Sequence, residues 1–308
     1  MNQDKMGSAK KSGSVVDDKA LKDTMNKSMS LFRAEMGEGE FNRFSELIQS
    51  EFGIKMPPTK KVLLQSRFQK RLRALGMHSY KEYCDYVFSE TGREQERRHL
   101  IDVVTTNTTH FFREPKHWDI MNQLVMPELW RRGVGRGGAL KMWSAGCSSG
   151  EEPYTLAMVL AEFGVKHNGF DFSILATDIS TEILQKAKNA VYSMDKADEI
   201  PMEMKKKYVL KSKSKAKPLI KIDAKLRNKV RFQRLNFMEN FQLPDQQDII
   251  FCRNVVIYFD RATQVVLFNK FCNNLKPGGY LFIGHSESLS GMQLPIKQVA
   301  PTVFQRLG

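Results

Sequence analysis

The sequence is poor in cysteine. Its four cysteines (Cys84, Cys147, Cys252 and Cys272) are widely spaced and form no CxxC pair. That pattern excludes a disulfide framework and a zinc signature, and reads as reduced thiols of a cytosolic protein. No apolar run approaches the roughly 20 residues that a membrane-spanning helix requires. The N-terminus has no apolar core before a small-residue cleavage site, so no secretory signal is expected. The chain also lacks an internal repeat. Acidic residues are in deficit, with 34 Asp+Glu against 48 Lys+Arg and a net charge of +14. The 308 residues suggest about two domains, and 41% hydrophobic with 27% charged residues excludes a disordered or fibrous chain.

The positive charge is concentrated. Residues 201–234 carry thirteen Lys and Arg against only Glu203 and Asp223. A second cluster, Lys60, Lys61, Arg67, Lys70, Arg71 and Arg73, has no acid between Thr59 and Arg73. The remainder is close to neutral. An anionic partner is therefore expected at two patches, not over the whole surface.

Periodicity divides the chain. Residues 1–37 are expected to be a disordered tail, with a transient helix over 17–35. Residues 38–105 read as a small all-α domain. Phe41, Phe44, Leu47, Ile48 and Phe52 recur at helical spacing and Gly53 ends that helix. Thr59 is expected to cap a second helix that stops at Gly76. Its apolar stripe is Leu64, Phe68, Leu72 and Leu75, with Lys60, Arg67, Lys70 and Arg71 forming a basic solvent face beside it. Ser79 starts a third helix, and Leu100, Ile101, Val103 and Val104 belong to a fourth.

Residues 106–138 read as a linker, and 139–308 alternate strand and helix. Strands are expected at 140–145, 170–177, 230–235, 248–252, 280–283 and 302–306. Helices are expected at 152–163, from Ser180 through Ile183, Leu184, Ala187 and Val191, and from Asp260 through Leu275. Such alternation implies an open, mostly parallel sheet with helices on both faces. Residues 192–228 are too long for a crossover loop of about 2–6 residues. They are expected to form a basic inserted β-subdomain in which 208–211 pairs with 218–222 as a hairpin.

The strongest chemical signal is WSAGCSSGEEPY (143–154). A strand that ends in a glycine turn and opens a helix brings backbone close to a ligand, whether a dinucleotide, a nucleotide or S-adenosylmethionine. The competing structural explanation is a tight turn with first-turn carboxylates favoured by the helix dipole. The next strand ends in Asp178, 28 residues after Gly150. An acid at that place receives ribose hydroxyls, or simply caps a helix. The turn lacks both G-x-G-x-x-G and G-K-[ST]. Glu151 and Glu152 would repel a pyrophosphate but suit the cationic groups of S-adenosylmethionine. LKPGGYLFI (275–283) resembles the late turn and strand of class I methyltransferases.

With TTNTTHFFRE (105–114), ATDIS (176–180), FCRNVVIYFD (251–260) and LKPGGYLFIGHSE (275–287), the chain resembles chemotaxis receptor methyltransferases of the CheR family over roughly residues 38–308. The resemblance implies a class I, Rossmann-like methyltransferase domain. It further implies transfer of a methyl group from S-adenosylmethionine to glutamate carboxylates of chemoreceptors, giving glutamyl methyl esters and S-adenosylhomocysteine. By motif position, Asn107, Thr109, Arg113, Glu151, Asp178, Asn236, Phe237, Arg253 and Asn254 would bind the cofactor. Glu151 would meet its amino-acid end, Asp178 its ribose, and Asn236 and Phe237 its adenine. Arg113 and Tyr258 would serve the acceptor glutamate. Arg113 has two structural alternatives, a salt bridge to Glu114 or a helix end. The face formed by Lys60, Arg67, Lys70 and Arg71 would dock on the cytoplasmic helices of receptors, at membrane-bound arrays.

His110 and His285 have no sequence neighbour at metal spacing, and no metal is expected. Some family members hold a receptor C-terminal peptide on the insertion. Here Lys211 to Lys217 reads KSKSKAK and departs from the glycine-bearing loop associated with that property. The remaining alternative is an RNA methyltransferase contacting phosphates through the basic insertion. Only Tyr208 and Phe232 interleave the thirteen cations, which is sparse for base stacking.

Overall fold

A computed structural model describes residues 35–214 and 216–308. The expected tail lies outside the described residues but for 35–37. The chain divides into two compact units. One comprises the described residues up to Phe44 with Pro58–Glu94, and the other Ser45–Pro57 with Gln95–Gly308.

Four helices begin the fold: α1 (Glu38–Phe52), α2 (Lys61–Leu75), α3 (Tyr80–Val87) and α4 (Glu90–Val104). In the first unit, Phe44, Phe68 and Tyr83 are fully buried and pack ring to ring, with Phe44–Phe68 centroids 4.7 Å apart. Such aromatic contacts carry much of the cohesion of a small core. Gly53 and Gly76 both adopt left-handed φ after their helices, as expected. Ser79 caps α3 by accepting from the Glu82 amide. Thr59 does not cap α2: a 3-10 turn, Pro58–Lys60, precedes it, and Lys60 offers no side-chain cap.

In the second unit, α5 (Pro115–Ile120) runs through a π turn (Met121–Val125) into α6 (Met126–Arg131). The strands of the central sheet are β1 (Leu140–Ala145), β2 (Phe172–Asp178), β6 (Val230–Arg234), β7 (Gln247–Cys252), β8 (Leu275–Ile283), β9 (Ile296–Ala300) and β10 (Val303–Arg306). Their order is β6-β2-β1-β7-β8-β10-β9. The first five are parallel, while β10 runs antiparallel to β8 and to β9. The open, mostly parallel sheet expected from the alternation is therefore observed, with β9 as an additional strand.

Period-two alternation fills both faces. Met142, Ile249, Phe251 and Phe282 join one core, closed by α6 and by α7 (Glu151–Lys166). Trp143, Ile250, Leu281 and Ile283 join the other, closed by α11 (Arg261–Asn274). The helix α7 continues past Gly164, which costs a helix only about 1 kcal/mol.

Between β2 and β6 lie α8 (Thr181–Asn189), α9 (Met202–Tyr208) and α10 (Ala224–Arg227). A small antiparallel sheet also forms here, from β3 (Val191–Ser193), β4 (Val209–Lys211) and β5 (Leu219–Ile222) in the order β3-β5-β4. The expected hairpin is present as β4 and β5, and β3 is a third strand that periodicity missed. Val191 belongs to β3, not to the preceding helix, because Ala190 turns left-handed (φ 53°) and ends α8.

Gly150 begins α7 at φ 97°, and a Cβ there would lie 2.9 Å from Ala187 Cβ and 3.0 Å from Tyr192 Oη. Replacement by alanine combines a strained φ with overpacking, so Gly150→Ala should destabilise the fold by about 1–3 kcal/mol. Chemical denaturation checks this; an unchanged midpoint would contradict the tight approach.

Candidate functional site

The carboxyl ends of β1, β2 and β7 converge, which is where open α/β sheets hold ligands. After β1 the backbone turns sharply. The Gly146 and Cys147 amides both donate to Thr177 O at 2.8 Å. Ser148 has left-handed φ (49°), and its amide donates to Asp178 Oδ2 at 2.8 Å. Asp178 Oδ1 accepts from the Ser180 amide at 3.0 Å. Thus Asp178 pins the turn as well as marking the end of β2. Burial pushes its pKa up, and the Ser180, Ser148 and Ile179 amides partly offset that.

The two glutamates of EEP point to different partners. Glu151 is fully buried, its Oε2 accepting from Ser149 Oγ at 2.6 Å and its Oε1 from Lys196 Nζ at 2.5 Å. Glu152 receives Ser144 Oγ at 2.7 Å and Arg253 Nε at 2.8 Å. Arg253 is buried at the end of β7, with its side chain 2% exposed. Its Nη1 also donates to Arg113 O at 2.9 Å and Glu114 Oε2 at 3.3 Å, and lies 3.1 Å from His117 Nδ1.

Residues 105–114 are strapped across these strand ends. Ser148 Oγ donates to Asn107 O (3.0 Å), and the Phe112 amide donates to Thr155 Oγ1 (3.2 Å). Lys196 Nζ reaches Thr109 O (3.4 Å). Arg113 donates to Thr108 O (3.0 Å), so of its two structural alternatives the salt bridge to Glu114 is replaced by a backbone contact. Among the described residues, six non-glycine residues have positive φ, and Phe112, Glu114, Ser148 and Asn254 of these sit in this region. Each such conformation costs about 1–3 kcal/mol and persists only where surroundings enforce it.

Asn107 and Asp178 are therefore linked through Ser148, Thr109 and Glu151 through Lys196, and Arg113 and Arg253 directly; Asn254 joins the last group through Glu114 Oε1 at 3.4 Å. Asn236 follows β6 beside Asp178, but its side chain serves the backbone. It donates to Glu51 O (2.9 Å) and accepts from the Met238 amide (3.0 Å). Phe237 packs edge-on to Phe271 at 5.6 Å. Tyr258 is half-buried on the turn Val256–Tyr258, where its carbonyl accepts from the Lys55 amide (2.9 Å). In the other unit, Lys70 is exposed, while Lys60, Arg67 and Arg71 are half-buried. The expected solvent face is thus only partly solvent-exposed.

Several residues of the site escaped sequence reasoning. Glu287 accepts from the Val255 and Val256 amides (both 2.9 Å) and the Gly284 amide (2.6 Å), holding the loop after β7. His285 has neighbours after all: its amide donates to Glu114 Oε1 (3.2 Å) and its ring lies 5.0 Å from His117. Glu114, His117 and His285 offer ligand atoms within 4.8 Å of one another. The Arg253 guanidinium already bonds to Glu114 and lies against His117 Nδ1, so a metal there would have to displace a buried cation. His110 pairs with Glu199 at 2.5 Å.

The charges are strongly coupled. Burial pushes the Glu114 carboxyl up, but hydrogen bonds from His117 and the His285 amide, with the Arg253 charge, hold it down at about 2. Burial lowers the His117 pKa; Glu114 opposes this and Arg253 reinforces it, so the neutral ring is favoured. A separate groove of about 360 Å³ opens at the amino-terminal strand ends, beside Lys141, Ser173, Lys229 and Gln247. It lies at the wrong end of a parallel sheet for this site.

Arg253→Met leaves Glu114 and Glu152 without their shared cation and should cost roughly 3–5 kcal/mol of stability; an unchanged melting temperature would contradict a structural role. Glu114, with its folded pKa depressed from 4.5 to about 2, contributes stability that is complete above about 4.5 and lost as pH falls toward 2. The urea midpoint of wild type should therefore fall more steeply over that window than that of Glu114→Gln. Equal slopes would contradict the assignment.

Comparison with known proteins agrees with this geometry. The family described as "CheR methyltransferase, SAM binding domain" matches residues 107–304, and "CheR methyltransferase, all-alpha domain" matches 39–105. A chemotaxis protein methyltransferase of Borreliella burgdorferi is 37% identical over 288 residues, covering 92% of this chain and all of the relative. Those of Salmonella typhimurium and Escherichia coli are each 33% identical over 273 residues. They cover 88% of this chain and 91% and 92% of the relatives. With an S-adenosylmethionine-binding domain built on the sheet and an all-α domain before it, the chain belongs to the CheR methyltransferase family.

Proposed function

We propose that the protein methylates glutamate side chains of bacterial chemoreceptors, using S-adenosylmethionine, during sensory adaptation. The observation that carries this reading is the pair of buried carboxylates, Glu151 at the start of α7 and Asp178 at the end of β2. They suit a ligand bearing an ammonium and a ribose and would repel a phosphate chain.

S-adenosylmethionine supplies an electrophilic sulfonium methyl group when bound. In our reading, Glu151 receives the ammonium of its amino-acid end and Asp178 the ribose. Asn236 and Phe237 flank the adenine. Asn107, Thr109, Arg113, Arg253 and Asn254 complete the wall, with Arg253 acting chiefly by fixing Glu152 and Glu114. Arg113 orients the incoming glutamate by a charge-assisted hydrogen bond, and Tyr258 lines its path. No general base is required, because a glutamate of pKa about 4.3 is already a carboxylate at neutral pH. The protein's task is alignment and exclusion of water.

Docking is assigned to the cytoplasmic helical part of the receptor, through Lys60, Arg67, Lys70 and Arg71, and would bring the enzyme to receptor arrays. Long-range attraction of this kind weakens as salt rises. Among the described residues, no helix is long and apolar enough to cross a membrane. The all-α segment 38–105 and the basic insertion 192–228 are read as docking and accessory modules. The KSKSKAK loop departs from the glycine-bearing loop of members that hold the receptor's C-terminal peptide, and a binding assay with that peptide decides between a tethered and an untethered enzyme. Ion pairs within the protein weaken the RNA alternative. Lys207 is spent on Glu162 (2.9 Å) and Lys229 on Asp171 (2.5 Å), so part of the basic segment neutralises the enzyme's own acids.

The test is transfer of tritiated methyl from S-adenosylmethionine to receptor fragments. The label should be released as methanol in alkali, and Asp178→Ala should abolish transfer and calorimetric cofactor binding while remaining folded. Alkali-stable label, or full cofactor affinity in Asp178→Ala, would contradict the reading.

A further inference from the structure

Lys196 lies on the 3-10 turn Met194–Ala197 of the insertion, directly after β3. It is the one cation bonded to the fully buried Glu151 among the described residues, at 2.5 Å, and its side chain is 36% exposed. The same ammonium reaches Thr109 O at 3.4 Å. Three contacts fix the turn beside the strand ends. Tyr192 Oη donates to Ser149 O at 2.8 Å, Glu199 pairs with His110, and Ile200 and Ala197 are buried in the core of the central sheet. Lys196 is therefore held at the amino-acid end of the proposed cofactor site by an element outside the parallel sheet.

We propose that Lys196 is a cofactor-recognition residue that binds the α-carboxylate of S-adenosylmethionine and S-adenosylhomocysteine. This rests on the assignment of Glu151 to the ammonium. An amino-acid end is a zwitterion, with one positive and one negative group and no net charge. Glu151 and Lys196 are its complement: one buried anion and one adjacent cation, also with no net charge. A carboxylate offers about four acceptor positions, and Ser149 and Lys196 use one on each oxygen of Glu151. Glu151 can thus accept a further ammonium without releasing either partner, and Lys196, with three donors, can serve Glu151 and an incoming carboxylate together. Arg113 is the competing cation; its guanidinium bonds to Thr108 O, and the proposed function assigns its remaining donors to the incoming glutamate. In a partly desolvated site such charge-assisted bonds are stronger than neutral ones. The insertion, on this account, contributes to cofactor selection.

The test compares two ligands by calorimetry on the full chain. One is S-adenosylhomocysteine; the other is its decarboxylated analogue, which keeps the amine and lacks the carboxylate. Lys196→Met should weaken S-adenosylhomocysteine by about tenfold or more and leave the analogue within about threefold, so that selectivity collapses. Lys196→Arg should keep most of the selectivity. Lys196→Gln, which retains length and a donor without charge, repeats the measurement if the methionine variant melts early. Equal weakening of both ligands would make Lys196 merely structural, and tightening of both would make it a competitor of the ammonium; either overturns the proposal. Glu151→Gln separates the two layers. If it leaves both affinities unchanged, the Glu151 assignment fails. If it weakens both while Lys196→Met does not alter selectivity, only the Lys196 inference fails.

Discussion

The arrangement of the site depends on one buried guanidinium. Arg253 joins the end of β7 to the first turn of α7 through Glu152, and to residues 113–117 through Arg113 O, Glu114 and His117. Burying a cation is expensive unless it is paired and hydrogen-bonded throughout. The groups that satisfy Arg253 come from separate elements: Glu152 of α7, and Glu114 and the Arg113 carbonyl of the strap. The desolvation cost is offset only when β7, α7 and the strap are together. That makes Arg253 a scaffold joining β7, α7 and the strap, beside the buried carboxylates Glu151 and Asp178.

A second constraint is backbone strain. Phe112, Glu114, Ser148 and Asn254 hold left-handed conformations without the freedom of glycine. They are enforced by bonds at strand ends: Ser148 by Asp178, and the loop after β7 by Glu287. Strain of this kind keeps carbonyls and side chains directed at one region and limits relaxation during reaction, which suits a transfer that relies on alignment.

Much of the fold was legible in the sequence. The alternation of Met142 with Trp143 and of Ile249 with Ile250 follows directly from a sheet buried on both faces. Ser79, Ser180 and Asp260 cap helices where their side chains predict. What escaped were features decided by distant partners. Thr59 is a plausible cap in isolation, but Pro58 starts a 3-10 turn instead. Val191 continues the apolar spacing of α8, yet pairing with Lys221 draws it into β3. In the site, WSAGCSSGEEPY identified the turn and its acids. It did not reveal that Glu151 meets Lys196 from 45 residues on, or that Glu152 meets Arg253 across 101 residues. Long-range ion pairs leave no periodicity to read.

The central claim is that the methyl acceptor is a side-chain carboxylate on an acidic helical surface. Mapping the methylated position by peptide mass spectrometry, after reaction with a receptor's cytoplasmic fragment, tests it most directly. The account predicts single methyl additions on glutamate side chains, removed by mild alkali. Methyl groups found on lysine or arginine nitrogen, or none on the fragment while RNA is labelled, would contradict it.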